Sequence, residues 1–144
     1  MLKTVSTIGF LGMAGGLLGL IATQSLFSPS PLVIVPQVGG LLLMVWARVT
    51  FGRRSFHFAA NPTEGGLVTA GPYRYIRHPI YSGVCLFTVA GAAAHGSWSA
   101  AALCGLVLAG AFVRLRCEEV LLVARYPQYQ NYAAKTWRMV PYVF

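Results

Sequence analysis

The stretch that decides the fold is residues 80–115, which read IYSGVCLFTVAGAAAHGSWSAAALCGLVLAGAFVRL. Two apolar segments, 80–96 and 98–115, meet at a short turn, and Arg114 is the only Lys, Arg, Asp or Glu among these residues. A helix needs about 17–25 apolar residues to cross the hydrocarbon core of a bilayer. The pattern therefore predicts two membrane-crossing helices, the first of them close to the lower limit of length.

Two further apolar segments come earlier in the chain, and the whole sequence is 56% hydrophobic and only 10% charged. So few charges cannot cover the surface of a water-soluble domain. We expect an all-α integral membrane protein with about four transmembrane helices in a single domain over residues 1–144. The predicted parts are helices at 4–27, 32–51, 80–96 and 98–119, a Gly/Pro/Tyr-rich loop over 52–79 and an amphipathic helical tail over 120–144.

The basic residues are confined to alternate ends of these helices. All eleven Lys and Arg lie at Lys3, within 48–78 or from Arg114 onward, and the short loops at 28–31 and 96–97 carry none. Short cytoplasmic loops are enriched in Lys and Arg. We therefore expect both termini and the central loop to face the cytoplasm from the inner membrane. The net charge of +8 is explained by topology and by attraction to anionic lipid, and no nucleic-acid partner is expected.

Residues 65–83 read GGLVTAGPYRYIRHPIYSG and combine Gly, Pro, Tyr, Arg and one His. Tyr and Arg favour headgroup depth, so the composition fits an interfacial anchor. The density of Gly and Pro indicates a specific backbone path, which fits a binding loop equally well.

The second polar segment reads RLRCEE over residues 114–119 and holds two of the three acidic residues. On a helix Arg114 and Glu118 share one face, whereas Glu119 points about 100° away and can reach Arg116. Local ion pairs at the helix end are one interpretation. Acids there oppose the helix dipole, and ionisable groups at membrane depth are functional candidates, so we favour a site.

Together these segments resemble the isoprenylcysteine carboxyl methyltransferase family and its phospholipid methyltransferase relatives, which are integral membrane enzymes that use S-adenosylmethionine. The resemblance covers roughly residues 39–141. It is carried by WAR (46–48), GRRSF (52–56), LVTAGPY (67–73), RHPIYSG (77–83), RLRCEE (114–119), YPQYQNY (126–132) and RMVP (138–141). Pro127 departs from the family pattern, since relatives commonly have Phe-Gly and an acid in this stretch.

The resemblance implies a set of site residues. Those that would bind the cofactor S-adenosylmethionine are Gly65, Gly66, Leu67, Val68, Tyr73, His78, Pro79, Ile80, Tyr81 and Glu118. The candidate catalytic residues are Arg114, which would face the methyl acceptor, and Glu119, a candidate base. No metal is expected, since no His/Cys/Asp/Glu group has ligand spacing.

The acceptor is expected to be small or lipidic and to reach the site from the bilayer. A carboxylate is already a nucleophile at neutral pH, whereas an amine must first lose a proton to a base. Because base candidates are few (His78, Glu64, Glu119 or a tyrosine), a carboxylate is favoured. The alternatives are an NADPH-dependent membrane reductase of the steroid-reductase type and a small proton-coupled transporter.

Overall fold

The structure is a computed structural model that describes residues 1–52 and 66–144. The helices found there are α1 (Leu2–Ala22), α2 (Pro31–Phe51), α3 (Pro79–His95), α4 (Trp98–Arg125) and α5 (Tyr129–Ala133), with a 3-10 turn at Gly71–Arg74. The predicted all-α fold is confirmed.

Three of these helices, α1, α2 and α4, are long and apolar enough to cross a membrane. Helix α3 is apolar but has 17 residues, which corresponds to about 25 Å of helix. It therefore stands at the lower limit of spanning length, as its sequence predicts. The protein is an integral membrane protein.

The helix ends follow local sequence signals. Proline occupies the first turn of both α2 and α3, where its missing N–H costs nothing. Ser97 caps α4 by accepting a hydrogen bond from the Ala100 N–H at 3.1 Å. Helix α4 runs on to Arg125, past the end expected at 119, and stops just before Tyr126 and Pro127. Helix α1 ends at Ala22, earlier than the expected 27.

The main helix contacts run in the order α1–α4–α3–α2. Because successive membrane helices alternate in direction, one end of the bundle gathers the starts of α1 and α3 and the ends of α2 and α4. We call this the site end. It is also the end that carries the central loop and the tail.

Glycines set the closest helix contacts. A Cβ added at Gly40 of α2 would lie 2.7 Å from the Gly83 carbonyl oxygen of α3. A Cβ at Gly110 of α4 would lie 2.9 Å from the Met13 backbone nitrogen of α1. Small residues allow such close approach, which stabilises helix packing in lipid by van der Waals contact.

Candidate active site at one end of the bundle

The length of α4 places the two adjacent acids at the membrane surface. Glu118 follows Trp98 by twenty residues on one continuous helix, a rise of about 30 Å, which matches the thickness of the hydrocarbon core. Both acids therefore sit at headgroup depth, where water and polar ligands have access.

Glu118 joins α4 to α3. The Tyr81 hydroxyl donates a hydrogen bond to Glu118 Oε1, and Arg114 Nε donates to the Tyr81 oxygen at 2.8 Å. Arg114 also lies 3.5 Å from Glu118 Oε1, as expected for an i,i+4 pair. We call Tyr81, Arg114 and Glu118 the Glu118 cluster. The Glu118 side chain is 26% exposed.

Helix α1 completes this cluster on its buried side. The Arg114 guanidinium lies 5.2 Å from the centroid of the Phe10 ring, a cation–π distance. Arg114 is buried, so its charge is balanced within the bundle. The first helix thus helps to hold a site residue in place, a role that its apolar sequence did not indicate.

Glu119 faces a different set of partners. Arg77 Nε donates to Glu119 Oε1 at 3.0 Å, and Arg138 Nε donates to Glu119 Oε2 at 3.0 Å. The Glu119 and Arg77 side chains are only 13% and 7% exposed. Flanked by two guanidinium groups, the carboxylate is held ionised. We call Arg77, Glu119 and Arg138 the Glu119 cluster.

His78 lies between the two acids. Its Nδ1 is 3.7 Å from Glu118 Oε2, and its Nε2 is 3.7 Å from Glu119 Oε1. The ring is buried, and within the described residues Nε2 has no hydrogen-bond partner. A buried polar atom of this kind is uncommon and points to a functional role or to a group that completes its hydrogen bonding.

The tail pairs with the segment before α3. The Trp137 N–H donates to the Tyr75 carbonyl at 3.0 Å, and the Arg77 N–H donates to the Trp137 carbonyl at 2.7 Å. The His78 N–H donates in turn to the Arg138 carbonyl at 2.9 Å. This short parallel pairing satisfies backbone groups next to the site and fixes the position of His78.

A hydrogen bond between two tyrosines attaches α5 to the same segment. The Tyr132 hydroxyl donates to the Tyr73 carbonyl at 2.6 Å. Burial raises the pKa of Tyr132 to about 12, against the lowering effect of Arg77. Burial likewise raises the pKa of Tyr73. Both hydroxyls therefore stay protonated at physiological pH.

The turn that leads into α3 depends on Gly71. Its φ is +56°, and an added Cβ would collide with the Thr50 side chain at the end of α2. Any L-residue here would be strained by its backbone and blocked by its neighbour. The Gly71–Pro72 pair thereby fixes where the loop meets α2.

The structure brings five predicted site residues together: His78, Tyr81, Arg114, Glu118 and Glu119. The other described site residues lie in the segment that leads into α3. Tyr73 and Pro79 are buried, Leu67, Val68 and Ile80 are half-buried, and Gly66 is exposed with a positive φ. Gly65, and the candidate base Glu64, lie outside the described residues.

Sequence reasoning missed the part that Arg77 and Arg138 play. Both stand in segments that carry the family resemblance, but Arg77 is 42 residues and Arg138 is 19 residues from Glu119. Local spacing suggested Arg116 as the partner of Glu119. The sequence offered one signal, the scarcity of acids: with three acidic residues and eleven basic ones, one carboxylate can be shared by more than one cation.

Comparison with known sequences identifies the family to which this site belongs. The profile of the phospholipid methyltransferase family matches residues 31–129, more than half of the chain. The chain belongs to the phospholipid methyltransferase family. No curated protein and no solved structure gave a match.

Members of the phospholipid methyltransferase family transfer a methyl group from S-adenosylmethionine to a lipid acceptor. This protein is therefore an S-adenosylmethionine-dependent integral membrane methyltransferase. The site residues fit the cofactor chemically. A partly exposed carboxylate, Glu118, suits an ammonium group. The buried Nε2 of His78, which faces Glu119 at 3.7 Å, has no hydrogen-bond partner among the described residues.

Proposed function

We propose that this protein methylates the amine headgroup of a phospholipid at the cytoplasmic face of the membrane. The observation that carries the proposal is the pairing of the buried His78 imidazole with the Glu118 carboxylate, 3.7 Å apart at headgroup depth. An amine acceptor must give up a proton before it can take a methyl group. The imidazole is suited to receiving that proton, and the carboxylate beside its Nδ1 helps to hold the ring in place.

The cofactor-binding residues proposed are those that the family resemblance implies. They are Gly65, Gly66, Leu67, Val68, Tyr73, His78, Pro79, Ile80, Tyr81 and Glu118. Glu118 would bind the cofactor ammonium through its partly exposed carboxylate, while Tyr81 and Arg114 hold that carboxylate in place. When bound, S-adenosylmethionine supplies an electrophilic methyl group next to its sulfonium. Protein residues then contribute mainly by positioning and by excluding water.

Of the two candidate catalytic residues, Arg114 remains the better placed to touch the reacting groups, because it borders Tyr81 and Glu118. That Glu119 acts as the base stays a prediction. Its two arginine partners stabilise the ionised form and make it a weak proton acceptor. Its contacts favour a positioning role, which is to hold the tail and His78 at the site.

A carboxylate acceptor, which the sequence favours, is the second candidate. It is supported by Arg114, a buried guanidinium beside the exposed edge of Glu118. Against it, two guanidinium nitrogens already face Tyr81 and Glu118, so the geometry is better matched to an amine.

The cytoplasmic location is supported by charge. The site end carries the basic residues of the central loop, the end of α4 and the tail, whereas the loops at the opposite end have no charge. By the positive-inside rule the site end faces the cytoplasm, where S-adenosylmethionine is made available.

Phosphatidylserine distinguishes the two acceptors, because its headgroup carries both an amine and a carboxylate. Purified protein in lipid nanodiscs would be given methyl-labelled S-adenosylmethionine together with phosphatidylserine or phosphatidylethanolamine. A control reaction would contain NADPH and no S-adenosylmethionine. A methyl label that stays on the headgroup nitrogen after alkali treatment would support the proposal. An alkali-labile methyl ester on phosphatidylserine alone would favour the carboxylate. Label in neither lipid would contradict both.

The His78→Asn variant tests the proton acceptor. We expect it to lower turnover at saturating cofactor about 100-fold and, because His78 is also proposed to bind the cofactor, to weaken S-adenosylhomocysteine binding by about tenfold at most. Loss of binding with the fold intact would instead assign His78 to the cofactor alone.

A further inference from the structure

An apolar groove of about 600 Å³ lies beside the site, on the α2–α3 face of the bundle. Leu43 and Trp46 of α2 form one wall and Leu86 and Val89 of α3 form its floor. Pro72, Tyr75 and Ile76 close it at the site end, and Met139, Val140 and Pro141 of the tail form the other wall. Its volume lies in the range of ligand-binding clefts.

The groove follows the axis of α3 into the membrane. Ser82, Cys85, Leu86 and Val89 line it and recur at i, i+3, i+4 and i+7, the spacing of a single helix face. They cover about 10 Å of helix length. The groove thus extends from headgroup depth, where the tail lies, toward the hydrocarbon core.

Residues of the site also hold the groove in shape. Ser82 Oγ donates to the Met139 carbonyl at 2.7 Å, which fixes the tail wall to α3. The neighbouring Arg138 is bound to Glu119 at 3.0 Å. The tail therefore contacts both the groove and the Glu119 cluster.

A cation stands at the mouth of the groove. Tyr75 lines the mouth and is half exposed, and the exposed Arg74 places its guanidinium 5.6 Å from the Tyr75 ring centroid. A guanidinium and a tyrosine at headgroup depth suit a phosphate. Apolar walls below and a cation above match the two parts of a phospholipid.

We infer that this groove holds an acyl chain of the phospholipid acceptor, with Arg74 facing its phosphate. The inference rests on the proposed function. Hydrocarbon surrounds the helices in any case, so the groove gains little hydrophobic energy by taking up a chain. What it provides is orientation: a chain held against α3 keeps the headgroup at the site end, near the start of α3, which raises the effective concentration of the acceptor.

A matched pair of variants tests the groove. Leu86→Trp fills it, whereas Leu42→Trp adds the same bulk at an exposed position of α2 that is not part of the lining. Phospholipid retained by the detergent-solubilised protein would be counted by native mass spectrometry. The KM would be measured for a long-chain phosphatidylethanolamine and for its dihexanoyl form, with S-adenosylhomocysteine binding as the check on folding.

We expect Leu86→Trp to lose the retained phospholipid and to raise the KM of the long-chain acceptor about tenfold or more. Turnover of the dihexanoyl lipid should change little, and Leu42→Trp should behave as the wild type. Equal lipid retention and equal KM in the two variants would overturn the inference. If Leu86→Trp alone loses the lipid but the wild type methylates none, the groove stands and the proposed acceptor fails.

Arg74→Gln gives a second test that does not touch packing, because Arg74 is exposed. It should weaken phospholipid retention, whereas Arg125→Gln, another exposed arginine at the site end, should leave it unchanged. Equal phospholipid retention by these two variants would show that Arg74 does not contact the lipid phosphate.

Discussion

Glu118 and Glu119 are neighbours in the chain and both face His78, yet their other partners differ. On the α4 helix their side chains point about 100° apart, so one meets Tyr81 and Arg114 of the Glu118 cluster while the other meets the arginines of the loop and tail. The more exposed Glu118 is therefore open to a ligand, and Glu119 is enclosed.

At this scale the first prediction concerns Glu118→Gln. Removing the charge should weaken S-adenosylhomocysteine binding about tenfold to hundredfold, the effect of losing a charge-assisted hydrogen bond. Calorimetry on the detergent-purified protein would measure the Kd. Arg116→Gln, an exposed position on the same helix, should bind as the wild type does. An unchanged Kd in folded Glu118→Gln protein would show that the cofactor ammonium does not bind this carboxylate.

At the scale of the element, the tail depends on one carboxylate. Arg77 donates to the Ala133 carbonyl at 2.8 Å and to Glu119, and Arg138 binds the same acid. Loss of Glu119 would leave a nearly buried guanidinium without its counter-charge, and breaking such a pair costs about 3–5 kcal/mol.

We therefore expect Glu119→Gln to loosen the tail. Trypsin should cut after Lys135 and Arg138 about tenfold faster or more than in the wild type, since the open form becomes more populated. Mass spectrometry of timed digests would locate the cuts. Glu118→Gln, which leaves the Glu119 cluster intact, is the control. Equal cleavage rates in the two variants would contradict the role of Glu119 in holding the tail.

The contact between α2 and α3 gives a third prediction, because two adjacent glycines differ in their surroundings. An added Cβ at Gly40 would meet the Gly83 carbonyl, whereas one at Gly39 has nothing within 4 Å. Gly40→Ala should destabilise the protein by about 1–3 kcal/mol through overpacking. Gly39→Ala should be neutral or slightly stabilising. Thermal unfolding in detergent would compare them, and equal midpoints would contradict the close helix contact.

For the molecule as a whole, the distribution of charge and the alternation of the helices point to one orientation. In a Ser28→Cys variant, whose new thiol lies in the uncharged loop between α1 and α2, the thiol should react with a membrane-impermeant maleimide added to intact cells. In Lys135→Cys it should react only after permeabilisation, because basic segments stay on the cytoplasmic side. The native cysteines would first be replaced by alanine. The reverse labelling pattern would place the site on the other face.

The sequence by itself determined the elements and the chemistry of the protein. The lengths of the apolar runs predicted the helices, and the prolines at residues 31 and 79 and the serine at 97 mark where three of them begin. The RHPIYSG and RLRCEE segments, at residues 77–83 and 114–119, indicated a methyltransferase, which the family match confirms. The helix signals are local, so spacing along the chain is enough to read them, whereas the methyltransferase was predicted from the resemblance of the two segments to a known family.

Only the tertiary structure decided the partners. Local spacing offered Arg116 to Glu119, but the fold pairs Glu119 with Arg77 and Arg138 from the loop and the tail. The apolar groove likewise exists only where α2, α3 and the tail meet. These contacts join residues far apart in the chain, and they form because helix packing and the pairing of Tyr75–His78 with Trp137–Arg138 bring the segments to one end of the bundle.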